Sequence, residues 1–87
     1  MFIYIGNDEV VESCKIISIL EFQLIHSSPK LRHLLEDRKK RDKVFGSVTD
    51  AKSIIITDDC IYYSPLSTTT LKNREELHEM MNQVEKY

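Results

Sequence analysis

In the C-terminal half of the chain, two short runs of β-branched and aromatic residues flank a pair of aspartates. Residues 53–57 and residues 60–64 are rich in Ile, Tyr and Thr, which are the residue types that favour β-strands. Asp58 and Asp59 tolerate turn conformations because their side chains bond to the local backbone. Pro65 ends the second run, since proline has no N–H for a strand ladder. This segment therefore predicts a β-hairpin.

The N-terminal third of the chain predicts a second hairpin and a further strand. Residues 2–5 are apolar and aromatic, and the Gly-Asn-Asp sequence at residues 6–8 favours a turn. A second strand is predicted to start near Glu9. Residues 16–22 contain many β-branched side chains, which disfavour a helix and predict a third strand.

Two helices are predicted in addition to these strands. Ser28 and Pro29 form a typical helix start, with serine as the cap and proline in the first turn. Leu31, Leu34 and Leu35 follow with the spacing of one helix face. A C-terminal helix is predicted from the apolar spacing of Leu71, Leu77, Met80, Met81 and Val84. The order of elements predicts one α+β domain over residues 1–87, with one helix between two hairpin-like strand groups.

Length and composition exclude several classes of protein. A chain of 87 residues holds one small domain, and its apolar runs are far shorter than the roughly 20 residues of a membrane-spanning helix. The N-terminus lacks the basic region and cleavage site of a secretory signal, so the chain is expected in the cytoplasm and away from the membrane. Cys14 and Cys60 are then expected to be reduced thiols.

No motif points to catalysis or to a metal. His26, His33 and His78 are far apart in the sequence, without the spacing of a zinc site. Gly6 and Gly46 are isolated turn residues and belong to no phosphate-binding loop. The sequence predicts no catalytic residues, no metal and no cofactor.

Charge is distributed unevenly along the chain. Residues 30–43 contain seven basic and three acidic side chains, whereas both flanking segments are acidic. The basic residues could neutralise several phosphates of a nucleic acid. They could equally form a solvated helix face, which is the more common explanation of such a run.

The two hairpins carry apolar side chains at nearly every strand position. Both sheet faces are therefore expected to be covered, and one short chain has few helices with which to cover them. Burial against neighbouring copies is one hypothesis, and a closed core is the alternative. The candidate interface residues are the large aromatics Phe2, Tyr4, Tyr62 and Tyr63.

Several of these segments together resemble a known family. The most specific is Ile-Tyr-Tyr-Ser-Pro-Leu-Ser-Thr-Thr-Thr-Leu at residues 61–71, accompanied in register by residues 3–6, 10–11, 16–19, 28–29 and 53–57. The pattern resembles the bacterial extracellular matrix regulators RemA and RemB over residues 2–74, and is closer to the RemB branch.

The resemblance implies a small α+β protein with a LytTR-like fold that assembles into closed rings. In the RemA branch such rings bind DNA and activate biofilm matrix genes. By position, Lys15 and Arg32 match basic residues of the family. A pair of adjacent arginines in the RemA branch corresponds here to Thr49 and Asp50, with Lys52 retained nearby. Replacing two cations by a neutral residue and a carboxylate is expected to weaken phosphate contact.

Two functional hypotheses follow from the sequence. The first is a transcriptional regulator that binds double-stranded DNA as a homo-oligomeric ring and controls biofilm genes. Its candidate phosphate contacts are Lys15, Arg32, Arg38, Lys39, Lys40, Arg41 and Lys52. The alternative is a ring-forming partner of a RemA-type regulator with little DNA binding of its own, which the acidic Asp50 favours.

Overall fold

The computed structural model describes residues 1–74 of the chain. The strands are β1 (Phe2–Gly6), β2 (Glu9–Glu12), β3 (Ile16–Glu21), β4 (Val44–Phe45), β5 (Ser53–Thr57) and β6 (Ile61–Ser64). Helix α1 (Pro29–Lys40) lies between β3 and β4, and helix α2 begins at residue 68 and includes residues 68–74. Two 3-10 turns flank β3, the first at Ser13–Lys15 and the second at Phe22–His26. The α+β class is confirmed.

The strands form two separate units. β1 and β2 form an antiparallel two-stranded hairpin, and the other strands form a sheet in the order β3-β5-β6-β4. The predicted β5–β6 hairpin is confirmed by antiparallel pairing in which Ile54 faces Tyr63. β4 runs parallel to β6, a pairing that the sequence did not predict. β3 ends one residue earlier than predicted, because the 3-10 turn of residues 22–26 begins at Phe22.

Local sequence explains how the principal turns and caps form. Asn7 and Asp8 both have positive φ, at 56° and 59°, which is the backbone of the two-residue turn that matches strand twist. Ser28 caps α1 as predicted, because its hydroxyl accepts from the N–H of Leu31 at 3.2 Å. In the same way the hydroxyl of Ser67 accepts from the N–H of Thr70 at 3.2 Å in the first turn of α2.

The C-terminal helix is confirmed only where residues 68–74 are described, and Leu71 is buried there. Leu77, Met80, Met81 and Val84, from which the rest of that helix was predicted, lie outside the described residues. Within residues 1–74, no helix is both long and apolar enough to cross a membrane.

The four-stranded sheet carries a core on each face. One core joins the hairpin and α2 to the sheet, and contains Ile3, Ile5, Val11, Ile19, Ile55 and Leu71. The other joins α1 to the sheet, and contains Leu31, Leu35, Ile54, Ile61 and Tyr63. Both faces of the four-stranded sheet are therefore covered within one chain, because the hairpin serves as a third layer. Assembly with other copies stays a prediction that needs other support.

Candidate nucleic-acid interface

The predicted phosphate-binding residues lie at two ends of the four-stranded sheet. Lys15 precedes Ile16, which pairs with Thr57 at the last position of β5. Lys52 precedes Ser53, which pairs with Glu21 at the other end of the same ladder. We call the end near Lys15 and the β5–β6 turn the turn end. We call the opposite end, near Lys52 and the loop that precedes β5, the loop end. Six strand residues of β3 separate them, and this corresponds to roughly 20 Å at about 3.3 Å per residue.

The loop end brings Arg32 and Lys52 to the same 3-10 turn. The Nη1 of Arg32 donates to the carbonyl of Ile25 at 2.7 Å. The backbone of Lys52 accepts from the N–H of Phe22 at 3.1 Å and donates to the carbonyl of Ser64 at 2.8 Å. Both residues are exposed. Within residues 1–74, neither side chain has a carboxylate within 4.0 Å, so both cations are available for phosphate.

The loop that contains Thr49 and Asp50 is part of the loop end. Thr49 and Asp50 are exposed, and the N–H of Thr49 donates to the hydroxyl of Ser47 at 3.2 Å. Only Ala51 separates Asp50 from Lys52 in the sequence. The carboxylate of Asp50 therefore lowers the positive potential beside Lys52.

At the turn end, one lysine and three carboxylates line an open cleft of about 230 Å³. The Nζ of Lys15 lies 3.9 Å from a carboxylate oxygen of Glu12, and both side chains are well exposed. Such a pair contributes little energy and leaves the lysine able to contact a phosphate. The cleft is lined by Phe2, Val10, Val11, Glu12, Lys15, Thr57, Asp58, Asp59, Cys60 and Tyr62.

The hydroxyl of Tyr62 adds no charge to this cleft at neutral pH. Burial raises its pKa above the ordinary value of 10.0, and the neighbouring Cys60, Glu9 and Asp59 raise it further. At neutral pH the charge of the cleft therefore comes from Lys15 and from the carboxylates of Glu12, Asp58 and Asp59.

In the basic cluster of residues 38–41 at the end of α1, a single carboxylate pairs with two of the four cations. Asp37 Oδ2 lies 2.6 Å from the Nη1 of Arg38 and 3.6 Å from the Nε of Arg41. Lys39 and Lys40 are exposed, and no carboxylate lies within 4.0 Å of them in the described part of the chain. Among residues 1–74, only these two lysines of the four predicted cations are thus unpaired.

The cluster belongs to the turn end of the molecule. The carbonyl of Lys43, just after the cluster, accepts from the N–H of Ile61 at the start of β6. The Nζ of Lys43 also lies 3.3 Å from a carboxylate oxygen of Asp59 in the β5–β6 turn. The cluster therefore lies at the opposite end of the sheet from Lys52, whereas Arg32 precedes Lys39 by seven residues of the same helix, about 10 Å along its axis.

The four aromatic interface candidates occupy different environments. Phe2 and Tyr4 are 66% and 47% exposed on the side of the hairpin that faces away from the core. Tyr62 is half-buried and stacks on Phe45 at 5.4 Å between ring centroids. Tyr63 is only 3% exposed, because its ring fills the core under α1. Its side chain is thus assigned to the interior of this chain, and Phe2, Tyr4 and Tyr62 are left at the surface.

Arg74 is a neighbour of Tyr4 that the sequence did not predict. Its Nη1 donates to the carbonyl of Tyr4 at 2.7 Å, and its guanidinium lies 5.9 Å from the centroid of the Tyr4 ring. The two residues are 70 positions apart, so no local pattern could have indicated this contact.

The described residues offer no obvious metal site. Within residues 1–74, no three His, Cys, Asp or Glu side chains lie close enough to hold an ion. Cys14 is exposed, Cys60 is half-buried, and both are free thiols.

Comparison with known proteins agrees with the resemblance read from the sequence. A family model named RemA-like, described as extracellular matrix regulatory protein A-like, matches residues 2–74. The extracellular matrix regulatory protein B of Bacillus subtilis strain 168 is 42% identical over 77 residues, which cover 87% of this chain and 91% of that protein. The matched range ends where the described part of α2 ends, so it includes both sheets and both ends of the cation distribution. This chain accordingly belongs to the RemA-like family of extracellular matrix regulatory proteins.

Proposed function

We propose that this protein is a cytoplasmic transcriptional regulator of extracellular matrix genes, and that it binds double-stranded DNA as a homo-oligomeric ring of LytTR-like subunits. The observation that carries the proposal is the loop end, where Arg32 and Lys52 are exposed without a carboxylate partner among the described residues. Cations in that state can replace the counterions of DNA phosphates. Further phosphate contacts are proposed for Lys15, Lys39 and Lys40 at the turn end.

Assembly supplies what a single chain lacks. The unpaired cations of one copy are few, and Lys15 and Lys52 lie at ends roughly 20 Å apart along the strands. A ring repeats each end in every subunit, and repeated weak contacts add avidity without any new kind of contact. Contacts to phosphates position the protein without reading bases, so DNA shape is expected to matter more than sequence.

The proposal is tested by titrating the full chain with duplex DNA at several salt concentrations, with the molar mass measured on the same samples. We expect the affinity of an oligomer to fall steeply as salt rises. Lys52→Ala and Arg32→Gln should each lower the slope of log affinity against log salt by about 0.9 for every phosphate that the variant no longer neutralises.

Lys43→Ala is the matched control, because it removes the same charge from a lysine already paired with Asp59. We expect a smaller change in its salt slope than for Lys52→Ala. Equal effects of the two variants would show that only the total charge matters, and would contradict a specific contact at the loop end.

A second candidate function is favoured by the acidic residue at the loop end. Asp50 stands where the RemA branch has a cation, so this protein could assemble and bind a RemA-type regulator instead of DNA. An assembled sample that shows no DNA binding even at low salt would support this second function. Binding of purified RemA-type protein to the same sample would then be measured.

A further inference from the structure

Glu21 is an exposed acidic residue at the loop end, close to Lys52 in the strand register. It pairs with Ser53 at the last position of β3, and Lys52 directly precedes Ser53. Neighbouring strands lie about 4.8 Å apart and one residue spans about 3.3 Å, so the Cα atoms of Glu21 and Lys52 are about 6 Å apart. Long side chains of opposite charge interact across such a distance. Yet the Nζ of Lys52 has no carboxylate within 4.0 Å among residues 1–74.

Strand alternation and one hydrogen bond place the Glu21 side chain away from Lys52. In β3, Glu21 lies on the same side as Ile19, which belongs to the core shared with α2. On that side the Oγ1 of Thr68 donates to the Oε1 of Glu21 at 2.8 Å. Lys52 lies on the other side of the sheet, like Ile54 of the core beneath α1. The hydrogen bond from Thr68 therefore holds the carboxylate on the side opposite Lys52.

Thr68 differs from the two threonines that follow it in the family pattern. It is 8% exposed in the first turn of α2, whereas Thr69 is exposed. The hydroxyl of Thr70 lies 2.9 Å from that of Ser67 and so bonds within α2 and its cap. A hydroxyl that donates to an ionised carboxylate forms a short and strong hydrogen bond, and low exposure limits competition from water. Of the three threonines, Thr68 is the one that holds a side chain of β3.

We propose that Thr68 is a positioning residue for DNA binding, which holds the Glu21 carboxylate on the α2 side of the sheet and so keeps Lys52 unpaired. This role rests on the proposed function and explains how one of its cations stays unpaired. Without the hydroxyl, the Glu21 side chain turns around the end of the sheet toward Lys52, because β3 ends at Glu21. Together with Asp50, the loop end would then hold two carboxylates against its two cations, and its attraction for phosphate would be largely lost.

The test titrates duplex DNA into the full chain at low salt and compares three variants. Thr68→Val keeps the size of the side chain and removes its hydroxyl. We expect its affinity to fall about fivefold, the factor that corresponds to an ion pair at 4 Å in water. Thr68→Ser retains a hydroxyl and should bind like the wild type. Thr69→Val is the matched control and should also bind like the wild type, because it makes the same substitution at an exposed position of the same turn.

Glu21→Gln separates a positioning role from a merely structural one. Its neutral amide cannot form an ion pair with Lys52, so adding Glu21→Gln to Thr68→Val should restore the wild-type affinity. If Thr68 only stabilised α2, the double variant would bind DNA as weakly as Thr68→Val. That result would overturn the proposal. A Thr68→Val variant that binds like the wild type, or a Thr69→Val variant that weakens binding equally, would overturn it too.

Crystal structures of the wild type and of Thr68→Val without DNA test the positioning directly. We expect a carboxylate oxygen of Glu21 within 4.0 Å of the Lys52 Nζ only in the variant. A Glu21 carboxylate that stays on the α2 side in Thr68→Val would overturn the proposal, whatever the DNA titration shows.

A wild type that binds no DNA at any salt concentration would instead overturn the proposed function, and the crystal structures would still decide whether Thr68 positions Glu21. Circular dichroism checks the fold of each variant, and Thr68→Ala replaces Thr68→Val if the latter does not fold.

Discussion

The hydroxyl of Tyr63 is buried beneath α1, and it has no hydrogen-bond partner among residues 1–74. The ring packs edge-on against Phe22 at 5.8 Å between centroids. Burial raises the pKa of this hydroxyl above the ordinary value of 10.0. A buried hydroxyl without a partner loses its bonds to water and opposes folding. Tyr63 therefore stabilises the protein through its ring and not through its hydroxyl.

We predict that Tyr63→Phe raises the free energy of unfolding at pH 7 by about 1 kcal/mol, because it removes an uncompensated polar group. The pKa of Tyr63 is higher in the folded state than in the unfolded state. Ionising this hydroxyl therefore costs more in the folded state than in the unfolded state, so the free energy of unfolding is unaffected below about pH 10 and falls as pH rises from there through the folded pKa. The stability of Tyr63→Phe should decline less steeply above that pH. Urea unfolding at pH 7 and in the alkaline range measures both effects.

Tyr4→Phe is the control for the effect at pH 7, since Tyr4 is largely exposed. We expect its free energy of unfolding to change by less than about 0.5 kcal/mol. A lower free energy of unfolding for Tyr63→Phe would mean that the Tyr63 hydroxyl has a hydrogen-bond partner, and would contradict the view that it opposes folding.

At the scale of elements, the β1–β2 hairpin is joined to the main sheet by apolar packing and by one buried side-chain hydroxyl, without a strand ladder between them. Ser64 is fully buried at the end of β6. Its hydroxyl donates to the carbonyl of Ile5 in β1 and accepts from the N–H of Leu66 at 3.0 Å. Gly6 allows the close approach, because a Cβ there would lie 2.7 Å from the Cδ of Pro65. The Ser-Pro-Leu segment of the family pattern thus anchors the hairpin.

We predict that Ser64→Ala lowers the free energy of unfolding by about 1 to 3 kcal/mol, because it leaves two backbone groups without their partner. Urea denaturation measures the loss, and hydrogen exchange should show faster opening of the hairpin. Ser47→Ala, in an exposed loop, is expected to change stability much less. Equal losses in the two variants would contradict an anchoring role for Ser64.

The elements that the sequence predicted are those that local patterns determine. Ser28 and Pro29 start α1 as expected, since capping depends only on neighbouring residues. Pairing between distant segments was not predictable in the same way. The parallel contact of Val44 with Ile61 depends on where α1 ends in space, and a two-residue strand leaves no periodic pattern.

The candidate site was predictable to a similar degree. The cations could be named from the sequence, and the four-residue spacing of Asp37 and Arg41 also indicates an ion pair on a helix. The separation of Lys15 from Lys52 was not predictable, because it requires the pairing of β3 with β5. Which cations remain unpaired depends on contacts such as Lys43 with Asp59, which only the fold brings together.

At the scale of the whole molecule, the loop end and the turn end differ in how their charge is balanced. At the turn end Lys15, Arg38, Arg41 and Lys43 each lie near a carboxylate, which leaves Lys39 and Lys40 unpaired there among residues 1–74. At the loop end the cations that are unpaired among residues 1–74 share the surface with Asp50. A single acidic residue therefore has a larger relative effect on phosphate binding at the loop end.

We predict that Asp50→Asn strengthens duplex binding roughly threefold at low salt, because removing a surface carboxylate near a phosphate relieves a repulsion of the order of 0.7 kcal/mol. Asp58→Asn is the matched control, since Asp58 is also exposed but lies in the β5–β6 turn at the other end. We expect it to have a smaller effect. Titrations of the two variants at equal salt measure the difference, and a stronger effect of Asp58→Asn would contradict the role of the loop end.

The separation between the two cationic ends also has a mechanical consequence for the DNA in the proposed complex. A straight duplex contacts a closed ring over only a short arc. A duplex that curves along the rim of the ring contacts the same cationic end of every subunit. Duplex DNA is stiff over about 150 base pairs, so following the rim requires bending energy that depends on the sequence being bent. A protein whose side chains read no bases would then select its sites by how easily the duplex curves.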